Sequence, residues 1–362
     1  MELQAEMPAP SQVREPGNIA GGRVTRPAVG GSRAVMRVAG VLLAGMASAG
    51  GVSATGQGHG HDGAMVVIDT DIGDDIGDAF AVGLALSSPE LNILGITSAF
   101  GDTALRARLL DRLLCDDGVP GITVATGVPR HRRGAAAFTQ ARFAAVAPRR
   151  RHPAAVDFLL SELSRHPGDI TVIAIAPLTN LGAAFERDPA TFRKLKRIVM
   201  MGGSIHRGYD GAGGERRGPD AEYNIAMDVA AARAVFNSGV PVEVMPLDAT
   251  QERLDVARRR ELFAAGTGLA VDLEALYREW AAATRRRTPI LYDLVAVARA
   301  IDPTLCPAAP MRIEVDDEGF THSRPGPPNS RVCLGSQSAR LLDFYMARLT
   351  RGVPARGCRV GR

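Results

Sequence analysis

From residue 65 onward the chain alternates short runs of β-branched and other apolar residues with longer stretches in which apolar positions recur every three or four residues. The runs predict strands at 65–69, 91–97, 122–125, 170–176, 197–201 and 240–247. The periodic stretches predict helices near 76–88, 103–115, 153–166, 178–196 and 228–238. Strands that are apolar at nearly every position, separated by amphipathic helices, belong to a mainly parallel sheet covered on both faces. A further helical region is expected over 251–301, and the alternation over 311–334 reads as a terminal hairpin. No internal repeat and no Pro/Gly/Ser linker interrupts this pattern. The fold class is therefore α/β: one large domain over 63–350 with a Rossmann-like central sheet.

Composition changes this picture only at the ends. With 362 residues, 46% of them hydrophobic and 23% charged, the chain can bury a sizeable core and is neither disordered nor fibrous. Residues 1–62 are rich in Gly, Ala, Pro and Ser, and Arg33 and Arg37 precede an apolar run over 38–49 that ends in small residues. That layout is an export signal followed by a linker, which carries His59 and His61; residues 351–362 form a tail. The protein is expected to be exported, periplasmic or extracellular, if the leader is a signal, and cytoplasmic if it is only an upstream extension. The run falls short of the roughly 20 apolar residues that span a bilayer, so stable membrane insertion is not expected. Half of the net charge of +4 comes from the first 60 residues, and no basic helix or aromatic stacking motif accompanies it, which excludes a nucleic-acid partner. Cys115, Cys306, Cys333 and Cys358 lack zinc spacing. In an exported chain Cys333 can pair with Cys358, while Cys115 packs within its helix.

The chemistry begins where the first strand ends. Asp69, Asp71, Asp74, Asp75 and Asp78 place five acids in ten residues, directly ahead of a helix. One or two would cap the helix and complement its dipole. Five repel one another unless a cation neutralises them, and hard carboxylate oxygens select calcium or magnesium over zinc.

The run Ile68-Asp69-Thr70-Asp71-Ile72-Gly73 with Asp78-Ala79 resembles the opening signature of the inosine-uridine-preferring nucleoside hydrolases. Further blocks agree in order: Phe100-Gly101-Asp102-Thr103, Ala176-Pro177-Leu178-Thr179-Asn180, Met200-Met201-Gly202-Gly203, Ala221-Glu222-Tyr223-Asn224 followed by Asp228, and Tyr292-Asp293. The resemblance spans about residues 65 to 345. It implies hydrolysis of the N-glycosidic bond of a small-molecule nucleoside to base and ribose, a resident Ca2+ ion, and a homo-oligomer. Carried over residue by residue, it makes Asp71 both a calcium ligand and the general base toward a calcium-bound water. Asp78, Asp293 and the backbone carbonyl of Ile175 complete the ligand set. Glu222 and Asn224, at i and i+2, project the same way if the backbone is extended, so both can reach ribose hydroxyls. Asp102 can hold a ribose hydroxyl or the Asp71 carboxylate. Asn180 reads as a structural residue at a helix start, and Gly202 and Gly203 as a close approach to the sugar or a plain strand-end turn.

Three departures matter. The opening loop carries two extra residues, so Gly77 falls where the family has an Asp at the ribose, and Asp74 or, as the chosen candidate, Asp75 reaches in instead. Arg216 stands where an Asn is expected, in the Gly- and Arg-rich stretch 209–218, which reads as a mobile flap. Tyr292 replaces a His that protonates the leaving base in purine-cleaving members; its hydroxyl can donate to the base, or its ring can wall the pocket. His206 is a second possible donor, and Arg285, Arg286 and Arg287 face either a polar base or solvent. Two rival functions remain: a ribose- or nucleoside-binding protein without turnover, and a phosphohydrolase in which Asp69 attacks phosphorus. The second lacks a downstream Lys beyond Lys194 and Lys196.

Overall fold

The computed structural model describes residues 63–351, apart from 117, 119, 120, 131, 148, 149 and 212–214. The chain divides into units Met1–Gln57 and Gly58–Arg362, and everything described lies in the second. The expected leader, with His59 and His61, and the tail from 352 fall outside the described residues.

Nine strands form one sheet: β1 (Ala64–Thr70), β2 (Leu91–Ser98), β3 (Thr123–Ala125), β4 (Thr171–Ile175), β5 (Arg197–Met201), β6 (Val242–Met245), β7 (Ala309–Val315), β8 (Thr321–Arg324) and β9 (Ser330–Val332). Their order is β3-β2-β1-β4-β5-β6-β9-β7-β8. The pairings from β3 through β6 to β9 are parallel, and β7 is antiparallel to both β9 and β8. All six predicted strands are present, and the α/β class with a mainly parallel sheet stands.

The alternation of side chains along β1 divides the core. Val66 and Ile68 join Ile173, Ile175, Val199 and Met201 on one face, under helices α1 (Gly77–Leu86), α2 (Thr103–Asp116), Gly268–Thr284, Leu294–Ile301 and Ser338–Leu349. Val67 joins Val172, Ala174, Ile198 and Met200 on the other, under helices Ala155–Arg165, Thr179–Arg187 and Val229–Phe236. Because both faces are covered there, the strands β1 to β6 are apolar at most positions, whereas β7 to β9 carry charged and exposed residues.

Four expectations are corrected. The helix predicted over 178–196 is two, Thr179–Arg187 and Pro189–Phe192; Pro189 has no N–H to continue the first, and Asp188 caps the second by accepting from Thr191 N at 3.0 Å. The terminal hairpin is part of the main sheet, since β9 lies between β6 and β7. Cys333 is bonded to Cys306, not to Cys358, with Cα atoms 5.8 Å apart and a sequence separation of 27. Cys115, on α2, is in a disulfide too rather than merely packed. No described helix is long and apolar enough to cross a membrane.

Candidate active site

In open parallel sheets the ligand crevice lies beyond the carboxyl ends of the strands, and the polar residues singled out above gather there. β1 delivers Asp69 and Thr70 to the edge of the core, and the turn after it carries Asp71, Asp74 and Asp75 before α1 begins at Gly77. Burial raises the proton affinity of the four acids. Asp69 is pushed up to about 6 by burial, against hydrogen bonds from the Thr97 hydroxyl and from Asn180 Nδ2 at 2.7 Å. Thus fixed on Oδ1, Asp69 is a structural carboxylate, poorly disposed to attack phosphorus.

Asp71 is 6% exposed and pushed up to about 8 by burial and by Asp74 and Asp69, with Arg106 pulling the other way. Asp78, in the first turn of α1, accepts from Thr70 Oγ1 at 2.5 Å; burial, then Asp293 and Asp71, hold its carboxyl well above the usual range. Asp293, just ahead of the helix Leu294–Ile301, is raised by burial, Asp71, Asp75 and Glu222. Ile175 ends β4 directly opposite Thr70. A Cβ on Gly77 would stand 2.8 Å from Asp293 Oδ2 and 3.2 Å from Asp75 Oδ2, so the bare glycine leaves room for both carboxylates. Asp75 is held there by the Gly77 N–H at 3.1 Å and by the indole N–H of Trp280 at 2.9 Å.

Asp71, Asp78 and Asp293 therefore crowd one region and oppose one another's ionisation. Among the described residues no three acidic, His or Cys side chains already stand at coordination spacing around one point. The donor chemistry, buried carboxylates in excess of neighbouring cations, is nonetheless that of a hard divalent ion.

Glu222 and Asn224 reach the site by a different route from the one expected. The backbone there is a short helix, Tyr223–Ala226, not an extended strand, because Glu222 caps it, accepting from Asn224 N at 3.0 Å and Ile225 N at 3.2 Å. Both side chains still converge on the end of β5: Glu222 accepts from Gly203 N at 2.9 Å, and Asn224 Nδ2 donates to the Met201 carbonyl at 3.2 Å. Burial pushes Glu222 up to about 7 against those backbone donors. Tyr292 packs edge-on against Tyr209, centroids 5.8 Å apart, and burial, with Asp75 nearby, tightens its hold on its proton.

Other predicted residues sit elsewhere. Asp102 is exposed and caps α2, accepting from Leu105 N at 3.0 Å; no described hydrogen bond joins it to Asp71. Asn180 is structural as expected, bridging Asp69, the Ser98 carbonyl at 3.0 Å and Val128 N at 2.9 Å. Arg216 is exposed and lines, with His206 and Asp248, a polar cleft of about 490 Å³ whose lining includes none of the acids above. The described part of the stretch 209–218 is anchored: Tyr209 N donates to Asp220 at 2.8 Å and Asp210 N to Gln251 at 2.8 Å. Arg285 to Arg287 are exposed, Arg285 ending its helix at φ 59°.

Sequence reasoning missed Arg106, Trp280, Tyr209 and Tyr223. Arg106 had a readable signal: it falls on the apolar stripe of α2 with Leu110 and Leu113 and is only 2% exposed. Tyr223 packs edge-on against Phe100, centroids 6.3 Å apart, and its hydroxyl accepts from Ala136 N at 3.0 Å.

Comparison with known proteins agrees with this geometry. The family model described as inosine-uridine preferring nucleoside hydrolase matches residues 66–343. A pyrimidine-specific ribonucleoside hydrolase, RihB, of Escherichia coli O1:K1 is 31% identical over 210 residues, 54% of this chain and 64% of that protein. An uncharacterized protein of Schizosaccharomyces pombe is 34% identical over 207 residues, again 54% and 64% of the two chains. The matched stretch thus spans just under two thirds of these curated relatives. Among solved structures, a plant nucleoside hydrolase, PpNRh1, superposes with a TM-score of 0.70 at 27% identity, covering 80% of this chain and 99% of its own. A purine-preferring ribonucleoside hydrolase from Gardnerella vaginalis gives 0.67 at 25% identity, covering 79% and 98%.

Proposed function

The chain belongs to the inosine-uridine preferring nucleoside hydrolase family, and from that premise we propose that it hydrolyses the N-glycosidic bond of ribonucleosides, releasing base and ribose. The observation that carries this reading is the meeting of Asp71, Asp78 and Asp293, three buried carboxylates from two distant parts of the chain, at the carboxyl end of the sheet.

The residues fit a calcium ion by donor type, with the carboxylates of Asp71, Asp78 and Asp293 and the carbonyl of Ile175 as its holders. When bound, such an ion supplies positive charge that acidifies a water and orients sugar hydroxyls. The remaining steps belong to the chain. Asp71 takes the proton of the attacking water as it adds to C1′ of an oxocarbenium-like ribose. Asp75, fixed by Trp280, and the pair Glu222 and Asn224 receive the ribose hydroxyls. Tyr292, whose phenol holds its proton tightly, offers the departing base a hydrogen bond rather than a proton, and the base leaves as its anion to be protonated by solvent.

The relatives' names cover both pyrimidine and purine preference, so the base is a question for assay. Ribose release by the full chain, from a panel of purine and pyrimidine ribonucleosides with calcium and with a strong chelator, tests the proposal. Metal-dependent release is expected; a folded, calcium-loaded protein that is silent across the panel refutes it. Export to an oxidising compartment is supported by the Cys306–Cys333 disulfide. Its test is the N-terminus of the protein recovered from its native host.

A further inference from the structure

The acid loop has an unusual backbone environment. Its five consecutive carbonyl oxygens, from Asp71 to Asp75, are each claimed by a donor from outside the loop. The Arg106 guanidinium donates to the carbonyls of Asp71 and of Ile72, the latter at 3.0 Å. The Gly73 carbonyl accepts from Thr139 N at 2.8 Å and Gln140 N at 3.2 Å. Thr139 Oγ1 takes the Asp74 carbonyl at 2.7 Å, and Gln140 Nε2 the Asp75 carbonyl at 2.9 Å. The two anchors touch, since the guanidinium lies 5.6 Å from the centre of the Phe138 ring, and Phe138 fills the space a side chain on Gly73 would need.

Arg106 does the larger share. Besides the two loop carbonyls it donates Nε–H to Phe100 O at 2.8 Å and grips Asp74 with both nitrogens, at 3.0 and 2.7 Å. A planar fork with five N–H donors can meet this set of acceptors; an ammonium cannot. Of the two acids in the lengthened part of the loop, Asp74 is spent on Arg106, while Asp75 is held by Gly77 N and Trp280 beside the site.

We propose that Arg106 is the positioning residue of the acid loop, fixing the backbone that carries Asp71 and leads into Asp78 at the head of α1. The role toward the cation rests on the functional reading above, but the ordering of the loop does not. The opposing possibility is that a buried guanidinium merely repels a cation, and the two predict opposite signs.

The test uses the full chain with Arg106→Lys, which keeps the charge and loses the fork. In metal-free protein, hydrogen exchange of the 71–78 amides should rise on the order of tenfold while the inner strands stay protected. Calcium affinity by titration calorimetry should fall about 10- to 100-fold, as for other groups that orient metal ligands. Unchanged loop exchange, or calcium binding that is unchanged or tighter in the folded variant, overturns the proposal. If Arg106→Lys does not fold, Asp74→Asn removes only the ion pair; loop exchange should rise roughly threefold, and no rise overturns the proposal. A wild-type chain that neither binds calcium nor releases ribose defeats the functional reading instead, and the exchange result then decides the loop's positioning by itself.

Discussion

Asp71 can act as a base only when ionised, yet burial and its acidic neighbours push it up to about 8. A cation bound among Asp71, Asp78 and Asp293, as proposed above, would remove that obstacle and link base strength to metal loading at this residue. Replacing Asp71 with Ala should lower ribose release by at least about 10²-fold while circular dichroism remains native; near-wild-type turnover refutes its role. Tyr292 is argued in the opposite direction. Its tightly held proton limits it to a hydrogen bond, so Tyr292→Phe should reduce kcat by no more than about tenfold on any nucleoside. A loss of 10²-fold or more would make it the acid. The sequence exposed the acids because five carboxylates before one helix demand an explanation at any level of structure. It did not expose Trp280 or Arg106 as their holders, because those contacts join residues 205 and 32 positions apart.

Among the elements, strands β1 to β6 were legible because burial on both faces makes each read as a largely apolar run. The short helix Tyr223–Ala226 was not, since four residues carry no period and its existence depends on Glu222 turning back to cap it. The same is true of β9, three residues whose place is set by pairing with β6 on one side and β7 on the other. The Cys306–Cys333 bond closes the loop that brings this pairing about, from the end of the helical turn Pro303–Leu305 to the end of β9. A loop of that length is worth about 3–4 kcal/mol in chain entropy. Cys306→Ser should therefore lower the stability measured by urea unfolding by roughly that amount. A change within error would mean that β9 is held by its hydrogen bonds alone.

Over the whole molecule the buried acids set the pH dependence of folding. Asp69, Asp71 and Glu222 move from ordinary values of 3.8, 3.8 and 4.5 to about 6, 8 and 7. Each keeps a proton in the folded protein over a range where the unfolded chain has released it, so folding takes up protons and stability falls as pH rises through that window. Groups shifted the other way act only at lower pH. Glu243, although partly buried, is held below its ordinary range by Arg299 and Arg197, and the stability it contributes is lost as pH falls below about 4.5. The metal-free protein should accordingly melt highest near pH 5 and progressively lower toward pH 8. Calcium should reverse the slope, because an ion that neutralises Asp71, Asp78 and Asp293 lets them ionise without loss, and its stabilising effect should grow with pH. Thermal melts at pH 5, 6, 7 and 8 in chelator and in saturating calcium measure both trends. A chelated protein whose melting temperature is level or rising from pH 5 to 8 would show that the acids are not held protonated by burial, and the site would then need no cation to stay folded.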